Sequence, residues 1–202
     1  MRFDRVLEKA QEESNMKYVR SILSIVALMS LSTVVFAQSD AQKAPSDSQK
    51  AYDKLKTLAG SWQGRVTTLP PQPGMGDGAL ADISVRITSR GNAMVHEMKE
   101  AGTADDPARF DHPVTMFYLD SDRLLLTHYC DAGNRPRMSG KMSPDGKTVE
   151  FDFLDLSGGT QYGHMDHAVF TFVDANHHTE DWTYIMPGDK PVQAHFELAR
   201  TK

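Results

Sequence analysis

Cys130 is the only cysteine in the chain, so no disulfide can form within it, and the fold must be held by burial and backbone pairing. Basic runs are missing as well. The 22 Lys plus Arg are outnumbered by 27 Asp plus Glu, the formal net charge is −5, and no stretch gathers the cations that nucleic acid or an anionic lipid surface requires. Neither partner is expected. Long hydrophobic runs are absent too: Ser21 to Phe36 is the one mostly apolar stretch, and it is too short and too interrupted by serine to span a bilayer. After Gly60, no segment carries a convincing helical period.

The apolar stretch has another explanation. Met16-Lys-Tyr-Val-Arg20 supplies a cationic lead, Ser21 to Phe36 the apolar region, and Val35-Phe36-Ala37 before Gln38 a cleavage site, so 1–37 reads as a secretory signal peptide. The protein is then exported, to the periplasm or beyond, with no integral membrane segment after cleavage. Residues 1–15 place acids ahead of that cationic lead, unlike a signal peptide, so translation is expected to start at Met16. No cysteine lies at the end of the apolar region, so a lipid anchor there is not indicated. The mature chain would have about 165 residues, enough for one domain with a core of its own.

Segment 38–49 is rich in Ser, Asp, Lys and Ala and reads as a disordered linker ahead of a domain over 50–202. Ser48 is a candidate cap for a short helix over 50–59, with Tyr52, Leu55, Leu58 and Ala59 on one face and Gly60 closing it. Ten short runs of β-branched, aromatic and methionine residues come next, at 61–69, 80–89, 93–100, 113–120, 123–130, 136–142, 147–156, 164–173, 177–186 and 192–200. Ser143-Pro-Asp-Gly146 and Pro187-Gly188 are turn sequences, and 70–79 and 101–112 are longer loops, the first able to overhang an opening. Within the runs, apolar and polar residues alternate: Val149, Phe151 and Phe153 share one face, as do Val192, Ala194, Phe196 and Leu198. Ten consecutive strands joined by hairpins predict an all-β fold, an antiparallel up-and-down barrel preceded by a short helix, because closure leaves no exposed edge. Ten strands should also leave an internal cavity. A sandwich is the alternative, favoured if either long loop crosses between two sheets.

The helix running into Gly60-Ser61-Trp62, with Arg200 at the end of the last strand, resembles calycin-type barrels: lipocalins, fatty-acid-binding proteins and nitrobindin-like barrels. That resemblance implies structural roles for Gly60, Trp62 and Arg200, with Arg200 stacked on Trp62 as a cation–π pair. The stretch Leu126-Thr-His-Tyr-Cys130 with Gly133-Asn134-Arg-Pro136-Arg137-Met138 is similar to a small group of exported bacterial proteins of the same barrel layout, which brings no activity with it.

The densest functional chemistry lies in that same stretch. His128, Tyr129, Cys130, Arg135 and Arg137, together with His96, Met98 and Tyr118, are the expected ligand-binding residues. Alternation turns His96 and His128 inward and His195 outward. Cys130 could act as a nucleophile beside His128, but no third group orients them and no catalytic residue is assigned. Arg135 and Arg137 flank Pro136 in an order that suits a carboxylate or phosphate clamp, or else an irregular turn. His164 with His167, and His177 with His178, fall on opposite strand faces by alternation and form no chelate, so no metal is assigned. Many methionines suit a cavity that accepts apolar guests. The expected function is non-catalytic binding of a small, largely apolar molecule inside the barrel. The nitrobindin resemblance implies an alternative, haem held by an inward histidine and acting on nitric oxide or peroxynitrite. A cell-envelope interaction module, marked by an exposed apolar patch, is a third.

Overall fold

Ser46, rather than Ser48, caps the first element. In the computed structural model, which describes residues 44–72, 78–106 and 108–201, Ser46 has extended backbone angles and its Oγ accepts the Gln49 N–H at 3.1 Å. Ser48 instead donates its hydroxyl to the Asp122 carbonyl at 2.7 Å. The helix α1 therefore spans Asp47–Lys56 and takes in residues 47–49, which by composition belong with the linker. The expected signal peptide, 1–37, lies outside the described residues.

The ten predicted runs are ten strands: β1 (Gly60–Leu69), β2 (Ala79–Thr88), β3 (Ala93–Glu100), β4 (Val114–Asp120), β5 (Arg123–Tyr129), β6 (Arg135–Met142), β7 (Thr148–Ser157), β8 (His164–Phe172), β9 (His177–Met186) and β10 (Lys190–Arg200). Each pairs antiparallel with its neighbours in sequence, and β1 pairs with β10 to close the barrel. Neither long loop switches sheets, which removes the sandwich. The Ser143–Gly146 turn closes with the Gly146 N–H on the Ser143 carbonyl at 2.9 Å, with Gly146 at positive φ.

Helix α1 closes one end. Its Ala51, Tyr52 and Leu55, with Leu58 just beyond, join the barrel core, and the Tyr52 hydroxyl donates to the Gly91 carbonyl in the β2–β3 turn. Gly60 sits at φ 142, outside the reach of most side chains, so the chain can leave the helix and enter β1 at once. Inside the barrel, Phe117, Phe151 and Phe170 pack edge to face with centroids 5.4 to 6.0 Å apart.

Arg200 locks the closure. Its guanidinium lies over the Trp62 ring at 4.0 Å, and it donates to the carbonyls of Ala59 at 2.7 Å, Thr57 at 2.9 Å and Ala175 at 3.1 Å. The Trp62 indole N–H in turn donates to the Leu58 carbonyl at 2.7 Å. One cation therefore satisfies the free carbonyls after the helix, where a positive charge also suits the helix dipole, and ties the last strand to the first. Nearby, Gly64 allows β1 and β10 to approach: a Cβ there would lie 1.7 Å from the Glu197 carbonyl oxygen.

Two bulges depart from simple alternation. In β7 the extra residue is Leu154, between the partners of Arg137 and Met138, and Phe153 beside it is 40% exposed where the pattern put it inside. In β8 the extra residue is Asp166. Met165 and Ala168 both join the interior across it, so His164 and His167 share the outer face instead of opposite ones.

Arg200→Ala should lower unfolding free energy by about 2 kcal/mol, from the lost charged hydrogen bonds and ring contact. Arg200→Lys, which keeps the charge without the planar fork, should recover less than half of that in urea titrations.

Candidate functional site

Alternation sets a polar row into an apolar wall. His96 on β3 is the register partner of Thr115 on β4, and Thr115 that of His128 on β5, so all three face the interior side by side. Strand β9 brings His178, Glu180 and Trp182 inward at alternate positions. Glu180 is fully buried. One of its oxygens accepts from His96 Nε2 at 3.0 Å and from His178 Nε2 at 3.0 Å, and the other accepts the Trp182 indole N–H at 2.9 Å.

A buried carboxylate is tolerated only when donors surround it. Burial by itself would raise the Glu180 carboxyl, but the charge on His96 and the hydrogen bonds from His178 and His96 outweigh it and hold the group well below its ordinary range. His178 also meets the Trp62 ring edge-on at 4.2 Å, which joins the network to the Arg200 lock.

His128 is different. Its Nδ1 shares a hydrogen bond with the Thr115 hydroxyl at 2.8 Å, its Nε2 has no partner, and only 1% of the residue is exposed. Burial, and then the charge on His96, push it down to about 4, so it is neutral at neutral pH.

At the end of the barrel away from α1, a cavity of about 350 Å³ lies against His128. Met98, Met165, Trp182, Val192 and Phe196 form its apolar wall; Cys130, Asp111 and Asp131 are among its polar residues. Burial pushes the Cys130 thiol up, the opposite of what an activated nucleophile needs.

Of the residues singled out in the sequence, Met98, His128 and Cys130 line this cavity, and His96 faces inward but is engaged by Glu180. The other four lie elsewhere. Tyr118 alternates with the inward Phe117 and is turned to the outer face, where its hydroxyl meets Thr127 at 3.2 Å. Tyr129, next to the inward His128, is 44% exposed. Arg137 pairs through Nε and Nη2 with Asp155, and Arg135 Nε donates to Ser157 at 3.2 Å, so both brace the β6–β7 ribbon from outside instead of gating the cavity. Asn134 acts as a loop anchor, donating to the carbonyls of Gly159 at 2.8 Å and Gly163 at 2.7 Å.

Sequence reasoning misses Glu180 and Trp182 and weighs His178 only as half of a pair that forms no chelate. The available signal is the alternation of His178, Glu180 and Trp182 along β9, which puts a carboxylate on the same face as a tryptophan. On the outer face Glu150, Asp152 and His167 come together, and Lys141 donates to Asp152 at 2.9 Å, which makes a network of ion pairs.

These features define a closed ten-stranded antiparallel barrel with one end sealed and a small cavity toward the other. The sequence matches no protein-family model and no curated protein. Among solved structures, the chain is similar to the crystal structure of Rv2717c from M. tuberculosis, with TM-score 0.54 and 12% identity over 75% of this chain and 98% of that one. It also aligns, with TM-score 0.39 and 8% identity over 73% of this chain and 48% of that one, with a protein of unknown function of the DUF3598 family from Nostoc punctiforme. The first of these supports the barrel fold and nothing finer.

The haem implied by the nitrobindin resemblance fits these residues in one respect and not in another. His128 offers a neutral imidazole with one nitrogen unpartnered, as an axial ligand requires. Among the described residues, the charged ones of the cavity are both carboxylates, Asp111 and Asp131, and would face the propionates of haem with like charge. The donor is suitable and the electrostatics are not, so no step is derived through haem.

Acid should weaken the fold in a defined order. Because His128 falls from 6.5 to about 4 on folding, its neutral form is favoured by the native state; stability is full above pH 6.5 and lost as pH falls toward 4, by about 3 kcal/mol. Glu180, lowered from 4.5, contributes stability that is present above pH 4.5 and lost as pH drops through its folded value. Urea titrations between pH 7 and 4.5 should show the first loss, and His128→Leu should flatten it; an unchanged slope in the variant would assign the loss to other groups.

Proposed function

We propose that this protein is an exported binding barrel that holds one small, largely apolar molecule in its interior. The observation that carries the reading is the cavity of about 350 Å³, at the lower end of the range for small-molecule sites, walled by methionine, tryptophan and aliphatic side chains with His128 against it. Flexible methionines adapt their packing to a guest, and a neutral, partly unbonded imidazole gives the guest one polar contact. Membership of the calycin-type barrels is supported by the helix leading into Gly60-Ser61-Trp62 and by Arg200 over Trp62. Export is supported by the leader-like sequence of 1–37. The reading assigns no catalytic step: the cavity thiol is held protonated by its burial, and the buried carboxylate is occupied by three donors.

A neutral fluorophore of naphthalene size should bind the purified protein saturably, one per chain, and quench Trp182 emission. Ala194→Phe, which fills the cavity, should weaken that binding at least tenfold while the variant still melts cooperatively. Undiminished binding in that variant would place the guest elsewhere.

A further inference from the structure

The cavity is lopsided in charge. Its lining contains two ionisable groups of fixed sign, Asp111 and Asp131, and among the described residues no lysine or arginine lines it. The two acids are held together, since the Asp111 carboxylate accepts the Asp131 backbone N–H at 3.2 Å. Cations occur in the adjoining clefts: Arg109 lines one together with Asp111 and Asp131, its guanidinium 5.7 Å from the centre of the Phe110 ring, and Lys99 lies 4.0 Å from Asp105. His112, also close by, has its Nδ1 3.7 Å from Asp105. His128, buried against the cavity with Nε2 unpartnered, presents a polar atom that no protein group satisfies. Being neutral, it brings no charge that could offset an anion.

A carboxylate ligand would enter beside two like charges and find no lysine or arginine among the described lining residues, a costly arrangement in a partly desolvated site. An ammonium ligand meets the opposite case. Its charge is complemented by the acid pair, and the Trp182 ring adds an electron-rich face for the cation or the adjoining methylenes. Burial, and then the charge of Asp131, push the Asp111 carboxyl up, as expected of an acid pair waiting for a cation.

We infer that the cavity selects apolar molecules carrying an ammonium group, with the cation at Asp111 and Asp131 and the apolar body against Trp182 and the methionines, and that it rejects the matching carboxylates. This rests on the binding function proposed above. The test compares 2-phenylethylamine, 2-phenylethanol and 3-phenylpropionate by calorimetry on the purified protein. The amine should bind at least tenfold tighter than the acid, with the alcohol between them, and added salt should weaken the amine but not the alcohol. In the double variant Asp111→Asn, Asp131→Asn, the ratio of amine to alcohol affinity should fall to about one. Equal or tighter binding of the acid, or an amine preference that survives both salt and the double variant, would overturn the selectivity while leaving the binding barrel in place. If none of the three binds, the binding function itself falls.

Discussion

Everything inside this barrel is arranged around one buried carboxylate. Taking Glu180 out of water is tolerable only because His96, His178 and Trp182 all direct N–H groups at it. Two of those donors are its own strand neighbours at i±2, but His96 arrives from β3, 84 residues away in sequence. The His96–Glu180 bond therefore spans the barrel and specifies how β3 and β9 face each other. A one-residue slip of either strand would turn its partner outward and leave a charge or an imidazole stranded in the core, so the network penalises wrong registers more than it stabilises the right one.

The same network divides the barrel into two ends with different tasks. On one side, His178 meets Trp62, Trp62 meets Arg200, and Arg200 holds the carbonyls at the end of α1, so a continuous chain of contacts runs from the carboxylate to the sealed end. The three phenylalanines fill the space between. On the other side the interior is left unfilled, and His128, Trp182 and the methionines border the cavity. Rigidity is concentrated where the barrel closes, and adaptable side chains where a guest would sit.

Much of this is legible in the chain. Period-two alternation with turn residues at the right offsets locates all ten strands to within two residues, and the helix before Gly60-Ser61-Trp62 with a C-terminal arginine points to how the barrel closes. The site is legible only in part. Local density of functional groups draws in Tyr129, Arg135 and Arg137, although the alternation that turns His128 inward already turns Tyr129 outward. Ser46 and Gln49, three apart, make a stronger helix-start pattern than Ser48 does. Single-residue bulges such as the one at Asp166 leave no comparable mark in sequence, yet each reverses the facing of the residues beyond it. Glu180 is hidden for a different reason: a charge at a core position breaks the binary pattern, and the partner that makes it tolerable lies far away in sequence.

The network also sets the chemistry of the cavity it borders. Burial first, and then the electrostatic influence of His96, which Glu180 engages, keep the proton off His128. A wall that would otherwise carry a titrating imidazole near neutral pH thus presents an uncharged one, and the net electrostatic character of the cavity is left to Asp111 and Asp131. The carboxylate that fixes the strands also engages the histidine that acts on His128, so the folding constraint and the proposed ligand preference meet at the cavity wall.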